Sequence, residues 1–353
     1  MKAAPIVDPP PIRWLHLPKA GQSFFVTICL YGCRNRSLVS EVHDFLRRHR
    51  NSTRRLQKVV RHLGLAADSL KCPYLQAPLI VGHSALQRAE LGHVVGLFRS
   101  PRQRMLSFCA SSRGVTTRTA FLACVAASAK SHLGVAAHQV GGNLSIGNNA
   151  RPYPDPSSGA VHEAMRRMIT GFAFIGLQEE WMWSVRLFHT MLLPDSVPMV
   201  QAETANLHAT RDSANARTLL AGNKPSWQQM LAQCDQGYGE GVLEQLPMYL
   251  RGRLALDGDL LVYAFARLVF CARMDAVMST RPAACKRTCP IAYVSERVSR
   301  RGQLDGRLSL AARALLRTWG LHTSRVASLL EASLRGDDLL NLRVSMEDLQ
   351  PPR

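Results

Sequence analysis

No stretch of the 353-residue chain holds about 18 uninterrupted apolar residues, the length a helix needs to cross a bilayer. Residues 121–137 come nearest, and Lys130 and His132 break them. No C-x-x-C pair occurs among the nine cysteines, which argues against a structural zinc site. The Walker A order G-x-x-x-x-G-K-[ST] is absent as well. Acidic residues are scarce: 25 Asp and Glu stand against 44 Lys and Arg, a formal net charge of +19. That balance points to polyanionic partners, whether nucleic acid, anionic glycan or anionic lipid headgroups. An Arg-rich but merely soluble surface would give the same count. The proline-rich first 13 residues lack the pattern of a signal peptide. The expectation is a soluble protein, or one whose anchor lies outside this chain.

What is present suits a folded globular protein. The hydrophobic share of 46% can supply a core for one large α/β domain or two small ones. Most of the cysteines (Cys29, Cys33, Cys72, Cys109, Cys124, Cys234, Cys271, Cys285 and Cys289) lie in apolar contexts and read as small buried hydrophobes. Cys285 and Cys289 sit in a basic, proline-flanked segment and could bridge locally. These contexts leave the redox compartment open.

Along the chain, residues 1–12 form a Pro-rich lead, Ile12–Leu17 a short strand, Pro18–Gln22 a break and Ser23–Leu30 the start of a helix. Glu41–Leu65 is helical in character. Between Phe45 and Ala67 it carries Arg47, Arg48, Arg50, Arg54, Arg55, Lys58 and Arg61 with no acidic residue. That face is either solvated or one wall of an anion-binding cleft. Pro78–Gly82 and His93–Phe98 are apolar runs suited to buried strands, followed directly by His83 and Arg99. Ser100-Pro101-Arg102-Gln103 then reads as an N-cap, a first helical proline and a capping-box partner. Residues 139–159 read as a loop, Val161–Thr170 as a helix, Phe172–Leu177 as a strand and Glu179–Leu193 as a helix. Asp257–Met274 is a further helix, 275–304 a basic linker and Leu308–Leu334 an amphipathic helical region. Strands alternating with helices imply an α/β fold with a mostly parallel sheet flanked by helices. The expected organisation is a main domain over 13–274, the linker over 275–304 and a helical C-terminal extension over 305–353.

The loop His16–Phe25 lies between a strand and a helix. Such a loop can wrap a phosphate with backbone N–H groups, aided by the positive end of the following helix. Lys19 adds a point charge and Ser23 a hydroxyl donor. Arg99 stands at a strand's carboxyl end, where open α/β sheets place ligands, and its guanidinium suits bidentate phosphate contact. Ser107 lies two turns into the capped helix, and Arg104 reads as a surface helix charge. His83 has the chemistry to deprotonate a hydroxyl, although a histidine in a turn is often only a solvated or capping group.

Pro18-Lys19-Ala20-Gly21-Gln22-Ser23-Phe24-Phe25 resembles the "PKTGGTSF" loop of Golgi-type carbohydrate sulfotransferases, the uronyl and heparan sulfate 2-O-sulfotransferase-like enzymes. Leu97–Ser107 resembles their "LRDPVERFLS" segment, and Gly82–Leu86 their "GHxxF" segment. Phe174–Glu179 with Ser184 is similar to "FVGLTE…S", and Leu256–Tyr263 to "LDxELYEYA". The resemblance spans roughly residues 13–272. It implies a P-loop-like sheet and 3′-phosphoadenylyl sulfate (PAPS) as sulfuryl donor, with no metal. Lys19, Ala20, Gly21, Gln22, Ser23 and Phe24 would bind the donor's 5′ end, Arg99 and Ser107 its 3′-phosphate. His83 would act as base beside a catalytic Lys19. The implied acceptor is a carbohydrate hydroxyl, with Arg47, Arg48 and Arg54 as its candidate wall, nucleic acid not being the expected partner. The implied location is the Golgi lumen, while a chain showing no anchor is compatible with the cytoplasm.

Four positions differ from the family pattern. Gln22 replaces a glycine, Phe24 a small hydroxyl, Ser100 an aspartate and Leu86 an aromatic. Two alternatives stay open. One is a catalytically impaired protein on this scaffold that binds polyanionic glycan or nucleic acid. The other is a nucleotide-dependent kinase, which requires a metal-binding carboxylate at a strand end.

Overall fold

The computed structural model describes residues 13–15, 17, 20, 85–86, 88, 91–111, 115, 117–131, 134–142, 158–192, 258–277, 325–335, 345 and 347–349. Three parallel strands lie in the order β1 (Arg13–Leu15), β2 (Val94–Phe98) and β3 (Phe172–Leu177). β1 pairs with β2 from Arg13 opposite Val94 to Leu15 opposite Gly96. β2 pairs with β3 up to Phe98 opposite Leu177, with a register shift at Val94/Val95. All five residues of β2 are buried. Successive side chains point to opposite faces of a strand, so both faces of β2 are covered, as a parallel sheet requires.

The helices are α1 (Pro101–Ser111), α2 (Arg118–Ser131), α3 (Val135–Gly141), α4 (Ser158–Thr170), α5 (Trp181–Leu192), α6 (Gly258–Val277) and α7 (Arg325–Arg335). None of them is long and apolar enough to cross a membrane. α1 begins where the Ser-Pro pair predicts, with Arg104 N–H donating to Ser100 O at 3.0 Å. α4 buries Ala160, Val161, Ala164, Met165 and Met168, the stripe of an amphipathic helix. Its outer face carries Glu163, whose carboxyl is lowered to about 2, chiefly by its hydrogen bond to Arg166 and also by Arg167.

α6 is the central helix, buried from Gly258 through Met274. It packs on β3 and on α1, α3, α4, α5 and α7. Near its end the Arg273 guanidinium donates to the carbonyls of Phe172 (2.7 Å) and Ala173 (3.2 Å). Burial lowers its pKa to about 10. Phe174 of β3 meets Phe188 of α5 edge-on, ring centroids 5.1 Å apart.

The architecture agrees with the α/β expectation at the level of a small parallel sheet with helices around it. Several details differ. α2 and α3 occupy segments for which no helix was expected, and α3 takes residues 139–141 from the anticipated loop. α6 continues to Val277, so the anticipated linker does not begin at 275. The anticipated C-terminal extension is part of the same core: Val326, Leu329, Leu330 and Leu349 join the cluster that holds α6 and the sheet. Arg267 of α6 donates to Ser333 O of α7 at 2.9 Å, and Ser333 Oγ donates to Ala264 O at 2.9 Å. Cys109 and Cys124 are a disulfide joining α1 to α2, not two independent small hydrophobes, and Cys271 is disulfide-bonded too. Glu41–Leu65, Pro78–Gly82 and Cys285–Cys289 lie outside the described residues.

Candidate functional site

Parallel strands release their chains at one edge. After β1, Ala20 N–H donates to Leu17 O at 3.1 Å, closing a tight turn whose two ends are buried. After β2 come the partly exposed Arg99 and Ser100, and after β3 come Gln178, Glu179 and Glu180. With β2 in the middle, the start of the His16–Phe25 loop lies on one side of Arg99 and the two glutamates on the other.

The exits of β2 and β3 are tied together. Gln178 N–H donates to Phe98 O at 2.7 Å, and Ser100 N–H donates to Glu179 Oε1 at 2.8 Å. The amide at the N-cap of α1 is therefore satisfied by a side chain 79 residues away, which corrects the expected capping box with Gln103. Gln103 Oε1 instead accepts from Arg99 at 3.5 Å. Gln103 and Ser107 are four residues apart on α1 and share one face, so Arg99 reaches toward the face that carries Ser107. Ser107 is buried.

Glu179 is partly exposed as a residue, but its Oε2 is enclosed. Burial raises its carboxyl above the usual range, while Arg99, the Ser100 amide and the Tyr263 hydroxyl favour the charged form. Glu180 is raised to about 7 by burial and by Glu179, opposed by Arg267. Burial first, then Glu179, pushes Tyr263 well above its ordinary value. Deeper in, Arg104 pairs with Asp259 at the start of α6, in buried surroundings rather than at the surface expected for it. Asp259 Oδ1 also accepts the Ala137 N–H of α3 at 2.8 Å, so one carboxylate joins α1, α3 and α6.

Of the predicted site residues, the structure describes Ala20, Arg99 and Ser107, all on the β1 and β2 exits or the helix that follows. Lys19, Gly21, Gln22, Ser23, Phe24, His83, Arg47, Arg48 and Arg54 lie outside the described residues. Ala85 and Leu86, two and three residues after His83, are buried. Leu86 N–H donates to Gln139 O at 2.8 Å, and Leu86 O accepts from Arg167 at 2.7 Å. Arg167 is in the last turn of α4, next to Gly171, whose carbonyl accepts from Gly92 and Val94 where β2 begins. Leu86 is thus moored to the helix end nearest the amino ends of β2 and β3, whereas Arg99 is at their carboxyl ends.

Sequence reasoning did not single out Glu179, Glu180, Tyr263 or Asp259 as site residues. Glu179 and Tyr263 fall inside the quoted motifs, and their place after a strand and on a helix was the available signal. The kinase alternative asked for a carboxylate at a strand end, and two stand there. Glu179, however, is engaged by the Ser100 amide and faces Arg99. Among the described residues no group of three or more His, Cys, Asp or Glu side chains is placed to hold a metal ion. No family model, curated protein or solved structure matches the chain.

Proposed function

We propose that the chain is a sulfotransferase with a P-loop-like sheet, moving a sulfuryl group from PAPS to a hydroxyl of a carbohydrate acceptor. The observation that carries the reading is the shared edge. The loop after β1 and Arg99 after β2 leave neighbouring parallel strands in the same direction, and Arg99 leans on the face of α1 that holds Ser107. A donor with a phosphate at each end would engage both exits, and the five motifs in family order supply its identity.

The transfer is in line, with a loose transition state like that of phosphoryl transfer. The protein's tasks are positioning and charge stabilisation. Lys19 neutralises charge on the departing phosphate oxygen, and Ala20–Phe24 hold the 5′ end. Arg99 and Ser107 hold the 3′-phosphate, and so set the donor's register. His83 takes the acceptor hydroxyl's proton, a role that rests on the resemblance alone. Arg47, Arg48 and Arg54 face an anionic glycan, in keeping with the net charge of +19. The Cys109–Cys124 disulfide supports an oxidising compartment such as the Golgi lumen.

Lys19→Ala and Arg99→Ala are each expected to abolish PAPS-dependent sulfation of an acceptor panel. His83→Ala is expected to spare donor binding while cutting turnover. Calorimetry with 3′-phosphoadenosine 5′-phosphate decides the matter first, since no binding by the unmodified protein would end the sulfotransferase reading.

A further inference from the structure

The polar groups beyond Arg99 have no part in that reaction. With Arg99 on the exit of β2 they form one connected set: Glu179 and Glu180 on the turn after β3, and Tyr263 and Arg267 on α6. On α7, the carbonyl and hydroxyl of Ser333 accept from Arg267. The two carboxylates are consecutive, and Glu179 is hydrogen-bonded to the residue after Arg99. The strand order matters here. β3 lies across β2 from β1, so the pair flanks the side of Arg99 away from the His16–Phe25 loop. A donor laid from that loop to Arg99 would bring its 3′-phosphate beside the glutamates and keep its sulfuryl group far from them.

We propose that Glu179 and Glu180 are specificity-determining residues for the 3′-phosphate, the pair binding a proton as Arg99 binds the phosphate. The inference rests on the sulfotransferase reading and extends it to regulation of the same site. Two adjacent carboxylates in enclosed surroundings repel one another, and the proton belongs to the pair rather than to either residue. A phosphate arriving at Arg99 adds negative charge next to them and raises their hold on that proton. By linkage, the protonated pair holds the phosphate more tightly. Burial and the neighbouring Glu179 raise Glu180 to about 7, so the pair carries fewer negative charges below neutrality and more above it. Binding through the 3′-phosphate therefore weakens as pH rises through neutrality. A ligand lacking that phosphate does not feel the change.

The test compares 3′-phosphoadenosine 5′-phosphate with adenosine 5′-phosphate by calorimetry at pH 6 and pH 8, on the full chain and on Glu180→Gln. The full chain is expected to take up protons at pH 8 on binding the 3′-phosphorylated ligand, measured in two buffers of different ionisation enthalpy. Free phosphate monoesters are already dianionic there, so the protons go to the protein. Glu180→Gln is expected to bind that ligand about fivefold more tightly than the full chain at pH 8, the ratio that one unit of linked pKa change from about 7 gives at that pH. At pH 6 the two should match, and adenosine 5′-phosphate should not distinguish them at either pH. If the 3′-phosphorylated ligand binds without proton uptake, and Glu180→Gln follows the full chain at both pH values, the proton coupling is overturned while the donor site stands. If Glu180→Gln does not fold, the proton count on the full chain decides alone. No binding by the full chain at either pH would remove the donor site itself.

Discussion

The exits of β2 and β3 lie side by side and carry opposite charge, Arg99 on one and Glu179–Glu180 on the other. They are also secured differently. The β3 exit has a local tie besides its bonds to the β2 exit. Ser184 Oγ accepts from Leu177 N–H at 2.8 Å and donates to Leu177 O at 2.9 Å, across seven residues of chain. The β2 exit is held from afar. The α1 helix that follows it is fixed by the buried pair of Arg104 with Asp259, 155 residues away, and by the Cys109–Cys124 bond to α2. The helix behind the cation thus has an anchor 155 residues away, whereas the carboxylate end adds a local tie at Ser184 to its bonds with the β2 exit.

Three substitutions would break or sharpen this contrast. Asp259→Ala strands the Arg104 guanidinium in the interior and removes the acceptor of Ala137 N–H. Its expected cost is about 3–5 kcal/mol in urea denaturation. A loss below about 1 kcal/mol would mean that Arg104 finds water, and that the remote anchor is not needed. Replacing Cys109 and Cys124 together by Ser opens a loop with a sequence separation of 15, at an expected cost of about 3 kcal/mol. Thermal melting with and without reductant checks the same bond in the unmodified chain. Ser184→Ala leaves the end of β3 without its hydroxyl partner, an expected loss of about 1–3 kcal/mol. Hydrogen exchange should place that effect at Leu177 and the first turn of α5. Faster exchange across α1 of equal size would erase the distinction between the two exits.

The readable parts of the chain were those whose signals are local. Phe172–Leu177 is a run of apolar and aromatic residues after Gly171, and it forms a strand over the expected span. Ser100-Pro101 fixes the start of α1 because both residues act on the backbone beside them. α2 gave no such signal. Its apolar residues do not gather on one face, and its sequence of Ala, Cys and Ser resembles a loose apolar run. Glu179 was read as the start of a helix, but α5 begins at Trp181, because Gln178–Glu180 turn to meet the exit of β2. Of the candidate site, Arg99 was legible as a residue after a strand. Its environment was not, since Glu179 meets Arg99, and Tyr263 meets Glu179, only through folding. The partner of Cys109 was hidden for the same reason.

Asp259, Tyr263 and Arg267 stand four residues apart along α6, one stripe on one helix face. Asp259 anchors α1 and α3, Tyr263 meets Glu179, and Arg267 holds α7 while attracting Glu180. Their spacing is therefore a single inherited quantity. Inserting or deleting one residue between Asp259 and Tyr263 would turn the later partners about 100° away from the earlier one. Length changes within that span should be far less tolerated than substitutions there. Natural or engineered variants of this chain should keep the interval of four even where the side chains between them drift.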